Sequence, residues 1–373
     1  MYQFRTFFTC YRAALVVVFA LASLSTKPSM AQGRDEPGAV YVLSNQSPNS
    51  VLVYARAANG TLSFSGSFLT GGTGAGTGVD PLGSQGSIVP GQGNRFLFSV
   101  NAGSNDISAF AVDATGLRLR LLDREPSGGT QPVSVAVNGN VVYTVNGSGT
   151  IQGLTFDPVS GHLSAIAGST QALPGGASAG PGQIGISPDG ALLIVTEKNT
   201  NQLDTWQING QGVAVNGTTI SSGAGTVPFG FTFVQPDIFL LTDAGFSALA
   251  SYQTNDDGTL DLVTSAIPDG GKANCWVVVT KNGRYAFVSN TGSGNVSSYT
   301  IGRDGSVSLL NTAAAGSLIA PIDAALSENG HFFFIREGAS GTMAGFRVES
   351  DGSLTPIGTI GGLPTGAQGL AAR

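Results

Sequence analysis

Short apolar runs punctuated by clusters of Gly, Asn, Asp and Ser fill almost the whole chain. This patterning predicts many short strands and tight turns rather than amphipathic helices. One apolar run recurs, over residues 41–45, 97–101, 142–146, 193–197, 239–243, 286–290 and 333–337. Each copy ends in a polar residue: Asn45, Asn101, Asn146, Glu197, Asp243, Asn290 and Glu337. Successive ends lie 56, 45, 51, 46, 47 and 47 residues apart. Within a copy the register is fixed. Fifteen residues after each polar end stands a glycine: Gly60, Gly116, Gly161, Gly212, Gly258, Gly305 and Gly352. Nine residues after each polar end stands an aromatic in six copies (Tyr54, Phe110, Trp206, Tyr252, Tyr299 and Phe346), with Thr155 in the third.

Each copy reads as four antiparallel strands. A first strand ends in a turn such as Ser187-Pro-Asp-Gly190, and the second is the run that finishes at the polar residue. The third carries the aromatic, and the glycine turns the chain into the fourth. Seven such units predict an all-β, seven-bladed β-propeller over residues 39–373. The last residues, Ala367-Gln-Gly-Leu-Ala-Ala-Arg373, resemble a first strand, whereas the repeat begins at a second strand near Ala39. The C-terminal strand is therefore expected to pair into the N-terminal blade and close the ring, which protects its edges.

Composition adds constraints on location and partners. Arg5 and Arg12, an apolar stretch over 13–24, and the small residues Ser29 and Ala31 read as a secretory signal, residues 1–31. A secreted or periplasmic protein is expected, with no membrane insertion after signal cleavage. Beyond residue 31 there are 14 basic and 23 acidic residues, a formal net charge of −9, and no basic run. That balance argues against nucleic acid as a partner. Cys10 lies in the signal, which leaves Cys275 without a disulfide partner, so the core must hold the fold. Cys275 is expected as a buried small hydrophobe, and the protein as a monomer.

Candidate chemistry gathers where first strands start and second strands end, since these share one face around the channel. The seven polar ends, including Asn101, Asp243 and Asn290, would form a ring there. Gln85, Gln183 and Gln368 match one another in strand register and would line the channel, with Asp323 and Trp276 at comparable places. Such a basin suits a polyhydroxylated or carboxylated small molecule, with amides for hydrogen bonding and Trp276 for stacking. Equally, Asn and Asp at strand ends bond local backbone and cap turns. Alternation along a strand sends one member of each pair, Glu197-Lys198 and Arg336-Glu337, inward, and Arg336 is counted among the ligand-facing groups. Three carboxylates on one channel could also hold a divalent cation such as Ca²⁺. His162 and His331 fall at hairpin tips and carry no expected role. The run Gly71-Gly-Thr-Gly-Ala-Gly-Thr-Gly78 lacks the features of a phosphate loop and reads as a long inter-blade connection overhanging the channel.

The turns Ile186-Ser-Pro-Asp-Gly190, the loops Asn101-Ala-Gly-Ser and Asn290-Thr-Gly-Ser, and the hairpins Asp257-Gly-Thr-Leu260 and Asp351-Gly-Ser-Leu354 resemble those of the seven-bladed lactonase-like propellers. That family includes 6-phosphogluconolactonases and 3-carboxy-cis,cis-muconate lactonizing enzymes. The segments over 70–86, 195–201, 228–231 and 275–280 resemble an exported branch of it. The resemblance implies an exported protein that hydrolyses or forms a lactone of a sugar acid or carboxymuconate-type compound, with no required cofactor. On that reading Glu197 is the general base and Glu337 a second acid–base or orienting group. Where cytoplasmic relatives carry a His after the Pro of a middle first strand, this chain has Gln183. Where they carry Arg-His, it has Asn274-Cys275. Those departures keep a second class open, a non-catalytic extracellular binding or adhesion propeller.

Overall fold

Each copy of the repeat becomes one antiparallel sheet, because its apolar runs are too short for helices and are cut at regular intervals by residues that tolerate turns. The computed structural model describes Met1 and residues 35–373, and Glu36–Arg373 form one compact unit. The segment read as a signal, Met1 aside, lies outside the described residues. Seven sheets follow in chain order as blades 1 to 7. The first strands of blades 2 to 7 are Ile88–Gly91, Pro132–Asn138, Pro181–Ile186, Pro228–Gln235, Asn274–Val279 and Pro321–Leu326. Each packs against the next around the axis, and Leu370–Ala372 completes the circle between the last and the first of them.

Closure takes the expected route. Leu370–Ala372 lies antiparallel to Gly38–Leu43, with Val40 opposite Ala372 and Val42 opposite Leu370. The bonds extend beyond the strand at both ends: Gln368 N donates to Leu43 O at 3.0 Å, and Arg373 N to Ala39 O at 2.8 Å. The Arg373 guanidinium then reaches Asp113 O and Ala114 O of blade 2, 3.1 Å each.

The seven register glycines all adopt φ between 77° and 88°, a region costly for residues with a Cβ. Their turns also seat each blade on the one before it. Tyr41 Oη donates to Gly116 O at 2.8 Å, Tyr143 Oη to Gly212 O at 2.7 Å, and Thr205 Oγ1 to Gly258 O at 2.6 Å. A Cβ on Gly352 would lie 2.5 Å from Cδ1 of Tyr285. One periodic feature thus serves both the turn and the blade interface.

Blade 3 explains its missing aromatic. Its turn between second and third strands is one residue shorter, with Asn146 opposite Thr150, where Asn101 faces Asp106 and Glu197 faces Gln202. Leu154 therefore takes the place opposite Val142 that Phe110 holds opposite Leu97. Thr155 is exposed, and Phe156 packs edge-on against Phe96 and Phe98 of blade 2, at 4.8 and 5.0 Å between ring centres.

Removing residues 366–373 should expose the edge of Gly38–Leu43 and sharply lower the melting temperature; unchanged melting would contradict the closure. Gly352→Ala should destabilise by at least about 1–2 kcal/mol from backbone strain alone. The Tyr285 clash adds to that loss, which denaturant titration would measure.

Candidate functional site

The seven polar strand ends reach the expected face, and all are buried. Each is bonded within its own blade or to an adjoining inter-blade loop, and Asn101 also accepts from Asn49 of blade 1, so their side chains do not present a shared open ring. Asn101 Nδ2 donates to Asp106 Oδ1 at 2.6 Å and to Ser108 Oγ at 2.7 Å. Asn290 Nδ2 donates to Ser297 Oγ at 2.8 Å, and Asn146 Nδ2 to Ser127 O at 2.9 Å. Asn45 Oδ1 accepts from Ala75 N at 2.8 Å, and Asp243 Oδ1 from Phe246 N at 3.1 Å. Glu197 accepts from Gly175 N at 3.0 Å and from the Thr200 hydroxyl. Glu337 accepts from Ile319 N at 2.9 Å and Thr342 Oγ1 at 2.6 Å. Carboxylates can do this work because the entering loop offers N–H donors to an acceptor at the strand end.

Blade 4 carries a variant of the same clasp. Two residues beyond the partner of the polar end stand Ser108 in blade 2, Ser297 in blade 6 and Asp204 in blade 4. The Asn–Ser pair is thus replaced by Glu197 beside Asp204. Burial, reinforced by Glu197, pushes the Asp204 carboxyl up to about 8, so the pair retains a proton. Burial also raises Asp243, to about 6. Arg336, fully buried, donates to Glu337 O, to Thr342 O at 3.3 Å and to Pro364 O at 3.4 Å. It ties blade 7 to the segment that closes the ring.

The axis itself is occupied by the connection between blades 1 and 2. Its first part runs close along neighbouring loops: a Cβ on Gly74 would lie 2.1 Å from the carbonyl carbon of Asn45. Its second part, residues 79–86, enters the channel and touches all six other blades. Val79 packs on Gly338 of blade 7. Gln368 of blade 1 accepts from Leu82 N at 2.9 Å and donates to Ser84 O at 3.1 Å. Ser84 Oγ donates to Val133 O of blade 3 at 2.7 Å, and Gln85 N to Gly182 O of blade 4 at 3.0 Å. Trp276 of blade 6 donates to Ser84 O at 3.0 Å while its ring stands edge-on to Phe229, 4.9 Å away. The Gln85 amide donates to Val277 O and accepts from Val277 N, both at 3.0 Å, and reaches Phe231 O of blade 5 at 3.4 Å.

Lys198 is the member of its pair that turns to the axis. It donates to Gly83 O and lies 4.9 Å from the centre of the Phe229 ring. Burial lowers its pKa, opposed by the charge of Asp80; burial likewise raises Asp80. Cys275 beside them is buried, and desolvation pushes its thiol up to about 12, the inert state of a thiol. Asp80 had no place in the sequence-based site. Its signal was the 56-residue interval, the longest between copies, which marks the inserted strap.

Beneath the strap, where first strands end, a cavity of about 250 Å³ remains. Gln85, Gln183 and Asp323 converge on it, among walls that include Val89, Val278 and Ala325. Asp323 lies at a one-residue bulge between Ile322 and Ala324, a device that re-aims a side chain. Its Oδ2 accepts from Gly369 N at 2.7 Å. Burial, with Asp80 adding to it, pushes its pKa up to about 8. Gln183 Oε1 accepts from Phe231 N at 2.7 Å, which leaves its Nε2 to the cavity. Glu197, Glu337, Asn101, Asp243, Trp276, Asn290, Arg336 and Gln368 are not among its lining residues. Among the described residues, no group of three or more His, Cys, Asp or Glu side chains is placed to hold a metal ion. His162 is exposed and bonds Asp123 at 3.2 Å on a hairpin tip.

Residues 77–176 match the family model described as lactonase, 7-bladed beta-propeller. Among solved structures, a candidate 6-phosphogluconolactonase of Bacteroides fragilis aligns with a TM-score of 0.73 at 18% identity, covering 91% of this chain and 98% of its own. The periplasmic gluconolactonase of Pseudomonas aeruginosa gives 0.73 at 14% identity, covering 90% and 98%. Virginiamycin B lyase of Staphylococcus aureus gives 0.54 at 13% identity, covering 74% and 84%. No curated protein matches the sequence. The chain is a seven-bladed β-propeller that resembles the lactonase propellers, with the family-model match lying over residues 77–176.

Proposed function

We propose that the chain hydrolyses a small lactone of a sugar acid in the axial cavity, with Asp323 as the acid group. The observation that carries this reading is a carboxyl raised to about 8, hence protonated at neutral pH, on the wall of a cavity sized for one ring. Pockets for drug-sized ligands span about 300–1,000 Å³, so a single sugar-sized ring suits this one. A protonated carboxyl donates a hydrogen bond to the lactone carbonyl oxygen where negative charge develops. Gln183 Nε2 faces the same cavity from blade 4 and supplies a second donor. Water adds to the carbonyl carbon, the ring C–O bond breaks, and the ring oxygen leaves with a proton as the hydroxyl of the open acid. The proposed reaction uses no cofactor. The resemblance to lactonase propellers supports the reaction class, and the signal-like sequence pattern of residues 1–31 supports export.

A non-catalytic binding propeller is the second reading. It is favoured by Glu197 and Glu337, the carboxylates that sequence nominated for catalysis, being engaged inside their blades.

Purified protein assayed on sugar lactones should accelerate ring opening above the spontaneous rate, and Asp323→Asn should lower the rate by about 100-fold or more. Asparagine keeps an acceptor for Gly369 N, so folding should persist. The wild-type rate should hold below pH 8 and fall above it as Asp323 ionises; the variant should lack that limb. Full activity in the variant would remove Asp323 from the reaction. Absence of turnover together with calorimetric binding of a polyol would favour the second reading.

Linkage gives an independent check. The folded state keeps a proton on Asp323 that the unfolded chain, at the ordinary value of 3.8, releases. Stability should therefore decline as pH rises from about 4 to about 8, and the slope should shrink in Asp323→Asn.

A further inference from the structure

The two lactonase-type neighbours carry names that differ in one respect, the phosphate on the sugar acid. The walls of the axial cavity bear on that difference. We propose, resting on the lactone reading above, that this cavity selects an uncharged lactone and rejects its phosphorylated counterpart.

Among the described residues, the lining holds one ionisable side chain, Asp323, and no Lys, Arg or His. The nearest cations are committed elsewhere. The Arg336 guanidinium is buried against the carbonyls of Glu337, Thr342 and Pro364. Lys198 lies on the other side of the strap, bonded to Gly83 O. Arg373, which follows the lining residue Ala372, turns outward to Asp113 O and Ala114 O.

A phosphate in this cavity would lose water without gaining a counter-charge, and burying an unpaired anion is strongly unfavourable. At Asp323 the negative potential of Asp80 outweighs the positive potential of the buried Arg336, so the wall offers an anion no net attraction. An uncharged polyol ring meets none of this opposition. Its hydroxyls can pair with Gln183 Nε2 and the free oxygen of Asp323, and its carbon face can lie on Val89, Val278 and Ala325. Specificity here comes from what the wall lacks, a negative element in the sense of an unpaired charge held against the wrong ligand.

The test uses the wild-type chain in two arms. Ring opening of glucono-δ-lactone and of its 6-phosphate is followed by proton release, with spontaneous hydrolysis subtracted. Binding of glucitol and glucitol 6-phosphate is measured by calorimetry. A kcat/KM preference for the uncharged lactone of about tenfold or more, with glucitol binding tighter than its phosphate, is expected. If no lactone is opened, the hydrolase reading fails, and the binding arm still decides the ligand class. Equal or tighter binding of the phosphate, a faster reaction of the phosphorylated lactone, or no binding of either polyol would overturn the proposal.

Discussion

Seven blades packed around an axis leave a hole lined by the backbones of seven first strands, and the rest of this molecule depends on how that hole is filled. Here the filler is the chain itself. Residues 79–86 leave blade 1, cross the mouth and bond blades 1, 3, 4, 5 and 6, while Val79 rests on blade 7. Buried peptide groups must find partners, and the polar groups near the axis find them in one another. The strap N–H and C=O groups meet Gln368, Gly182 and Trp276, the Ser84 hydroxyl meets Val133 O, and the Gln85 amide bonds both backbone groups of Val277. With one mouth closed this way, the free volume lies at the opposite end.

Two closures therefore act together. The strand Leu370–Ala372 joins the last blade to the first, and Gln368, just before it, holds the strap at Leu82 and Ser84. Arg336 braces the same segment through Pro364, and Gly369 N bonds Asp323. The C-terminal residues thus reach the ring seam, the strap and the cavity wall within a few positions. A change in the seam is coupled to Asp323 through one backbone bond, which makes ring closure and site geometry a single structural problem.

The fold was legible because its physical requirements are local and periodic. A turn that needs positive φ writes a glycine at the same offset seven times, and a second strand buried on both faces writes its apolar run. The third copy shows the limit of counting. A turn one residue shorter moved the structural equivalent of the aromatic to Leu154, while the glycine offset survived. The site was legible only in part. Gln85, Gln183 and Asp323 share a cavity at the far end from the polar strand ends, while Gln368, which matches the two glutamines in register, and Trp276 bond the strap instead. The polar ends face a common side, yet sequence could not show that the loop entering each blade would supply the partners of Glu197 and Glu337. Those bonds join residues on separate turns whose approach is set by blade packing.

The charge distribution around the axis points the same way as the geometry. Asp80 of the strap and Lys198 beside it partly compensate one another, and the Arg336 guanidinium donates to carbonyl oxygens. Asp323 alone faces the cavity without a cationic partner in hydrogen-bond contact, and a carboxyl so placed keeps its proton. Asp113 and Asp189 in the exposed turns are lowered by their bonds, whereas burial raises Asp204, Asp243 and Asp323. Of these three raised carboxyls, Asp323 is the one that lines the cavity, at a bulge between Ile322 and Ala324. Such an arrangement has a cost in stability at neutral pH. At the comparable places of other first strands stand the uncharged residues Ser134, Gln183 and Trp276. That contrast argues for a chemical role at Asp323 rather than at the carboxylates of the strand ends.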